Sequence, residues 1–153
     1  MSRSAAACPR VHPARGLHWQ QGVGGDLGLF ARAGWNNGQN ESYSYTEVND
    51  TLLFGAQIAG RLWHRRRDHI GLAIVSNGLT RLHAQYLADG GLGFQLGDGG
   101  LTYGREDTME AYYNLHLWDG LYLGPDVQDI DNPGYNRARG PVMVYGLRLH
   151  LRL

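Results

Sequence analysis

Residues 106–153 read EDTMEAYYNLHLWDGLYLGPDVQDIDNPGYNRARGPVMVYGLRLHLRL, and apolar and polar residues alternate through much of this stretch. At its end, one row holds Met143, Tyr145, Leu147, Leu149, Leu151 and Leu153, and the other row holds Val142, Val144, Gly146, Arg148, His150 and Arg152. Successive side chains of a strand point to opposite faces of a sheet, so this period of two predicts a strand. Strands in soluble domains average about five or six residues, whereas a tilted membrane-spanning strand needs about nine to eleven. The length therefore favours the wall of an outer-membrane β-barrel.

The same alternation recurs along most of the chain. Strands are predicted over residues 26–35, 51–63, 69–77, 106–118 and 121–130, in addition to the last one. Asp119-Gly120 is a two-residue hairpin signal between two of them. The sequence thus predicts an all-β fold, an antiparallel meander of about six long transmembrane strands that forms part of a larger barrel.

The connections between these strands alternate in length. Residues 64–68 and 119–120 are short links, whereas residues 36–50, 78–104 and 131–141 are long ones, with a short helix predicted over 79–87. Outer-membrane barrels place short turns on the periplasmic side and long loops outside. Aromatic girdles are expected at both interfaces. Trp63, Trp118 and Tyr122 lie beside the short links, and Trp35, Tyr43 and Tyr103 lie near the long ones.

Composition excludes several other classes of protein. The 153 residues carry a formal net charge of zero, so nothing indicates a nucleic-acid partner. The single cysteine, Cys8, gives neither a disulfide framework nor a cysteine metal site, and no HExxH or GxGxxG motif occurs. Glu110 and Asp126 could be considered as a glycosidase pair, but both lie on regular strands with no cleft signal. We therefore expect no enzyme activity, no cofactor and no metal.

Several segments resemble the carbohydrate-selective porins of the OprB family. The matching segments are DLGLFARAGW, RRRDHIGLAIVSNGLT, YLADGGLGFQLGDGGLTYGRE, MEAYYNLHLWDGLYLGPDVQDIDNPGYNRARGPV and YGLRLHLRL. The most specific element is Pro-Asp-x-Gln (residues 125–128), followed by Asn132-Pro133-Gly134. The resemblance implies an outer-membrane barrel of about sixteen strands that passes glucose-like mono- and oligosaccharides by passive diffusion. It implies sugars and outer-membrane lipid as partners, and leaves open whether the full-length porin is a monomer or a homo-oligomer.

The chain departs from that family in several respects. Residues 1–16 match nothing in it and are expected to be a disordered leader, with residues 17–153 forming the C-terminal part of a porin barrel. Met1 to Gly16 contains no signal-peptide core, six strands cannot close a porin-sized barrel, and Leu153 stands where the family usually ends in Phe. We therefore expect a fragment of a larger porin, with a soluble ligand-binding β-barrel and a non-functional remnant as alternatives.

The strand faces opposite the apolar rows are expected to line the pore. These pore-lining candidates are Arg32, Gln57, Arg61, Glu110, Tyr112, Asn114, His116, Asp126, Gln128, Arg148 and His150. Neutral sugars need many donors and acceptors along a wet path, and a flat ring such as Tyr112 stacks on a pyranose face. Binding must stay weak for a channel to conduct. Arg32, Glu110, Asp126 and Arg148 are the preferred candidates because they are charged and near mid-strand.

Overall fold

Seven strands form one antiparallel sheet whose spatial order follows the chain. A computed structural model describes residues 14–38, 47–93, 96 and 100–152. The strands are β1 (Arg15–Val23), β2 (Leu27–Trp35), β3 (Asp50–Ala59), β4 (His69–Gly78), β5 (Glu106–Trp118), β6 (Leu121–Asp131) and β7 (Val142–Leu151). The predicted all-β meander is confirmed. None of the helices in the described part of the chain is long and apolar enough to cross a membrane.

The first strand is the one that the sequence pattern did not reveal. β1 pairs with β2 along its whole length, from Arg15 opposite Trp35 to Val23 opposite Leu27. Gln21 interrupts its apolar row, and the turn that follows is glycine-rich, so the isolated segment carries little periodicity. β1 also includes Arg15 and Gly16, which the sequence pattern assigns to the leader, whereas residues 1–13 lie outside the described part of the chain.

The link between β3 and β4 begins earlier than the alternation predicted. β3 ends at Ala59, and a 3₁₀ helix (Gly60–Trp63) takes the place of the last four residues of the predicted strand. A Cβ at Gly60 would lie 2.2 Å from the carbonyl oxygen of Arg65, so the chain can fold back this tightly only with glycine there. Leu62 in that 3₁₀ helix continues the apolar row of the strand, which is why the alternation alone predicts a strand that is too long.

One short helix lies in the long connection between β4 and β5. α1 (Arg81–Ala88) begins after Thr80, whose side-chain oxygen accepts a hydrogen bond from the N–H of His83 at 3.4 Å. It ends at Ala88, with Asp89 as the C-cap, and Gly90 follows with φ 92°. The predicted helix over 79–87 is thus present, shifted toward the C-terminus because Thr80 is its N-cap.

The register joins the apolar rows of all seven strands into one face, here called the outer face. Leu72 in mid-strand lies opposite Ala56 on one side and Ala111 on the other. Leu72 is 54% exposed and Tyr145 is 78% exposed. The buried apolar residues of the described chain are few: Ala73, Leu79, Leu87 and Tyr135. An uncovered apolar face of this kind is typical of the outside of a membrane β-barrel.

The two ends of the sheet differ as the loop lengths predicted. The β1–β2, β3–β4 and β5–β6 links lie at one end, here the short-turn end, and the longer links lie at the other, the long-loop end. A small core of Leu79, Leu87 and Tyr135 is at the long-loop end, packed against Tyr103 and others. Tyr43 and Leu153 lie outside the described residues. Asp129, opposite Met109 and Met143, lies on the outer face close to the long-loop end.

A buried carboxylate fixes the turn before β4. Asp68 is 1% exposed, and its carboxylate accepts hydrogen bonds from the Tyr113 hydroxyl at 2.6 Å and the His116 N–H at 3.0 Å, as well as from Arg65. Burial acts to raise the pKa of Asp68, but these donors outweigh it and hold the pKa below its usual value. Asp68 therefore joins the β3–β4 turn to β5 in its charged form.

Acid is expected to destabilise the protein through Asp68. Because its folded-state pKa is lowered, its contribution to stability is complete above the unfolded-state pKa of about 4 and is lost as pH falls through the folded-state pKa. Asp68→Asn is expected to be less stable at neutral pH and to lose much of this acid dependence. Urea unfolding midpoints at about pH 3 and about pH 7 measure both effects. Asp119→Asn, at a carboxylate that is 92% exposed, is the control and should retain the wild-type dependence. Equal acid dependence in wild type and Asp68→Asn would contradict the assignment.

Candidate pore-lining site

The face opposite the apolar rows carries the polar side chains, and we call it the inner face. Strand alternation and register place all but one of the sequence-predicted site residues on it: Arg32, Gln57, Glu110, Tyr112, Asn114, His116, Asp126, Gln128, Arg148 and His150. Arg61 is the exception, because it lies in the 3₁₀ helix at the short-turn end. The alternation therefore predicted the face correctly wherever it predicted the strand correctly.

Three charged side chains meet where β5, β6 and β7 run side by side. The Nη2 of Arg148 donates to Glu110 Oε1 at 2.6 Å. Its Nε lies 3.1 Å from Asp126 Oδ2, at an angle that does not make a hydrogen bond, so this oxygen has no hydrogen-bond partner among the described residues. The side chain of Arg148 is 63% exposed, whereas that of Asp126 is 4% exposed. In this cluster the exposed guanidinium of Arg148 thus lies over the buried carboxylate of Asp126.

Glycines opposite the large side chains make this recess possible. Gly146 lies across from Asp126, and a Cβ there would come within 2.5 Å of both carboxylate oxygens. Gly71 lies across from Tyr112, and a Cβ there would come within 2.2 Å of the ring Cζ. The carboxylate and the ring therefore lie against bare backbone of the neighbouring strand. Each large side chain is kept close to the wall instead of projecting from it.

A groove of about 280 Å³ runs along the inner face at this point. It is lined by Tyr112, Tyr113, Asn114, Tyr122, Gly124, Asp126, Arg148 and His150. Gly124, opposite Arg148 in register, gives its floor without a side chain. The groove thus combines a guanidinium, a carboxylate acceptor, an amide and aromatic rings, which are complementary to the hydroxyls and the C–H faces of a polyol.

A ladder of three rings continues the groove toward the short-turn end. The His116 and Tyr122 rings meet edge to face with centroids 5.1 Å apart, and the Tyr122 and His150 rings are 6.1 Å apart. Tyr122 was expected to belong to an interfacial girdle and was not among the predicted pore-lining residues. Its alternation with Leu121 and Leu123 places it on the inner face. That period of two was the signal that could have identified it.

The remaining predicted residues lie apart from the groove. Arg32 on β2 donates from Nε to Nδ1 of His18 on β1 at 3.0 Å, and Gln57 lies on β3. Arg61 pairs with Asp26 at 2.5 Å across the short-turn end. The hydrogen bond from Arg61 lowers the pKa of Asp26 below its usual value. No group of three or more His, Cys, Asp or Glu suited to a metal occurs within the described ranges.

An exposed apolar face, a polar inner face and loops sorted by length define the wall of a porin-type β-barrel. The family model of the carbohydrate-selective porins, OprB family, matches residues 18–153. The chain belongs to this family of outer-membrane proteins.

A solved structure supports the same fold. The high-pH structure of Pseudomonas putida OprB matches with a TM-score of 0.62 and 21% sequence identity. The match covers 82% of this chain and 30% of that chain, so the present sequence corresponds to less than a third of the barrel it resembles. No curated protein matches the chain.

Proposed function

We propose that the chain forms part of the wall of an outer-membrane channel through which sugars pass by passive diffusion. The observation that carries the proposal is the inner-face groove built around Arg148, Asp126 and Tyr112. An Arg side chain has five N–H donors, so Arg148 retains donors for hydroxyls while it pairs with Glu110. Asp126 offers an acceptor, and the rings offer flat apolar surfaces. A half-open groove with these groups supports weak, reversible contacts suited to conduction.

The proposed channel needs strands beyond the seven described. β1 and β7 do not pair with each other, and each keeps an open backbone edge. In an antiparallel meander of seven strands, the first and last run in the same direction. Closing such a sheet with antiparallel neighbours throughout therefore requires an odd number of additional strands. An all-antiparallel ring of two copies in one membrane orientation does not meet this requirement.

A soluble ligand-binding barrel is disfavoured by the same observations. Such a barrel would close its edges and bury one apolar face, whereas here the sheet is open and its outer apolar residues, such as Leu147 at 70% exposure, are uncovered. It would remain monomeric and folded in buffer without detergent. Aggregation in buffer and folding in detergent or lipid are the behaviour expected of a barrel wall.

Liposome swelling tests the proposed function directly. Vesicles that carry this chain within a closed barrel, with the additional strands supplied, are expected to swell in an isotonic glucose solution as the sugar enters and water follows. Vesicles that carry a protein with the groove blocked should swell more slowly. Vesicles without protein give the background rate. Swelling no faster than this background would contradict sugar diffusion and favour a non-functional remnant.

Replacing Arg148 is expected to change ion selectivity more than stability. Arg148 is 63% exposed, so without its guanidinium water can reach the Glu110 and Asp126 carboxylates, and ion pairs at such a wet surface contribute about 1 kcal/mol. Arg148→Gln removes the positive charge that faces Glu110 and Asp126, so the groove becomes more negative and cations should pass more readily than anions. The reversal potential across a planar bilayer in a KCl gradient measures this shift. Arg148→Lys keeps the charge and is the control. An equal reversal potential in both variants and wild type would place Arg148 away from the ion path.

A further inference from the structure

A second cavity, of about 290 Å³, lies at the long-loop end of the inner face. Its walls come from the ends of β4 and β5 and from the loops that fold over them, including Val48, Leu96 and Tyr135. It shares no lining residue with the groove at Arg148. Its volume is near the lower limit of about 300 Å³ for small-molecule pockets, which fits a ligand no larger than a single ring.

Two polar side chains face each other across the strands at the base of this cavity. Asn77 on β4 and Glu106 on β5 are register partners on the inner face. Side chains at directly opposed positions have Cβ atoms about 5 Å apart. The Thr51 hydroxyl donates to Asn77 Oδ1 at 2.8 Å, and the N–H of Gly134 donates to Glu106 Oε2 at 2.8 Å. Each side chain is therefore held by one of its two polar atoms.

The second polar atom of each of these two side chains is available to a ligand. Asn77 keeps its Nδ2 donor, and Glu106 keeps its Oε1 acceptor, without a hydrogen-bond partner in the described part of the chain. A donor beside a carboxylate acceptor is complementary to two neighbouring hydroxyls, because each hydroxyl can both donate and accept. A phosphate or a carboxylate would instead meet the negative charge of Glu106, and the guanidinium of Arg139, which also lines the cavity, already donates to the Pro133 carbonyl oxygen at 3.3 Å.

The rest of the cavity suits the apolar part of the same ligand. Val48 and Leu96 line it without polar side-chain atoms, and Glu47, a further lining residue, has its carboxylate 3.1 Å from His83 Nε2. The Tyr135 ring is 3% exposed, and its hydroxyl donates to the carbonyl oxygen of Glu47 at 2.9 Å, so this hydroxyl does not compete for the ligand. A sugar ring has a polar rim and C–H faces, and the cavity presents a surface for each.

We infer that this cavity is a second sugar-binding site, at the long-loop mouth, where Asn77 and Glu106 bind two neighbouring hydroxyls of one sugar ring. The inference rests on the proposed function, because it makes the cavity the first contact of a sugar before the groove at Arg148. It assigns binding to two residues that the pore-lining set did not include.

Glucose titration monitored at the Asn77 side chain tests the inference. The amide NH₂ signal of Asn77 in the ¹⁵N NMR spectrum, assigned through its loss in Asn77→Asp, is expected to shift in a saturable way as glucose is added to the protein in detergent micelles. Glu106→Gln can retain its acceptor toward Gly134 while it replaces the free acceptor with a donor. The Kd reported by this signal is expected to rise about tenfold, because a neutral hydrogen bond from the amide replaces the stronger one to the carboxylate.

Asp107→Asn is the matched control. Asp107 adjoins Glu106 in β5, but its side chain is on the outer face, opposite Asp131. This variant should keep the wild-type Kd. No saturable shift in wild type, or an unchanged Kd in Glu106→Gln, would overturn the mouth site even if vesicles swell in glucose. Vesicles that do not swell while the Asn77 signal still titrates would overturn the proposed channel and leave the mouth site standing.

Discussion

Replacing Leu72 by arginine is expected to lower the free energy of unfolding in phospholipid vesicles by about 2–4 kcal/mol, the cost of a lipid-facing Arg at the bilayer midplane. Leu72 is 54% exposed on the outer face and belongs to its central row, with Ala56 and Ala111 as register partners. An arginine at this position points away from the sheet, so its guanidinium must enter the hydrocarbon or deform the bilayer. Urea unfolding of the vesicle-bound protein measures the loss.

The matched control lies three residues further along the same strand. Val75 is on the inner face, between Leu53 and Thr108 in register. Val75→Arg places the same charge on the wet side of the wall and is expected to cost much less than Leu72→Arg. If the two variants lost equal stability, or if Val75→Arg lost more, the assignment of lipid and water to the two faces would be reversed.

Alternation predicted the faces because it is a local property of the backbone. A strand needs only its own residues to show which side chains share a side, and β5 was predicted with its observed limits, from Glu106 to Trp118. The loop lengths were equally visible in the sequence. β1 was missed because its evidence is not local: pairing with β2 fixes it, while Gln21 interrupts its own apolar row.

The sequence predicted which residues share the inner face but not which of them are in contact. Glu110, Asp126 and Arg148 were each placed on the inner face, yet their contact depends on the register of three strands. A slip of two residues would preserve every face and separate the three charges. Asn77 and Glu106 illustrate the same limit, because only the β4–β5 register makes them neighbours.

The roles of the strand glycines could not be predicted from the alternation. In an alternating pattern, Gly71 and Gly146 read as weak positions of a strand, since glycine lacks a side chain to pack. The structure gives them a definite role, because each leaves room for a large side chain of the adjacent strand. Packing a ring over a cross-strand glycine is a known device for shaping β-sheets. It can be recognised only once the partner strand is known.

Gly71→Val is therefore expected to affect both stability and sugar passage. A Cβ at Gly71 would lie 2.2 Å from Cζ of Tyr112, so the ring must leave its place against β4. Overpacking of this kind costs about 1–3 kcal/mol. The displaced ring can move only away from the wall and into the channel, where it should obstruct the groove. Urea unfolding and glucose-driven liposome swelling are both expected to show a loss.

Gly22→Val separates this effect from the general consequences of replacing a strand glycine. Gly22 is in the same lateral row of the inner face, through Gly28 and Gln57, and no atom lies within 4 Å of a Cβ built there. Removing an unconstrained strand glycine should stabilise the protein by about 0.5–1 kcal/mol, the entropic cost that glycine carries. The two substitutions should thus change stability in opposite directions, and only Gly71→Val should slow swelling. If Gly71→Val stabilised the protein and left swelling unchanged, the Tyr112 ring would not lie over Gly71 in the membrane.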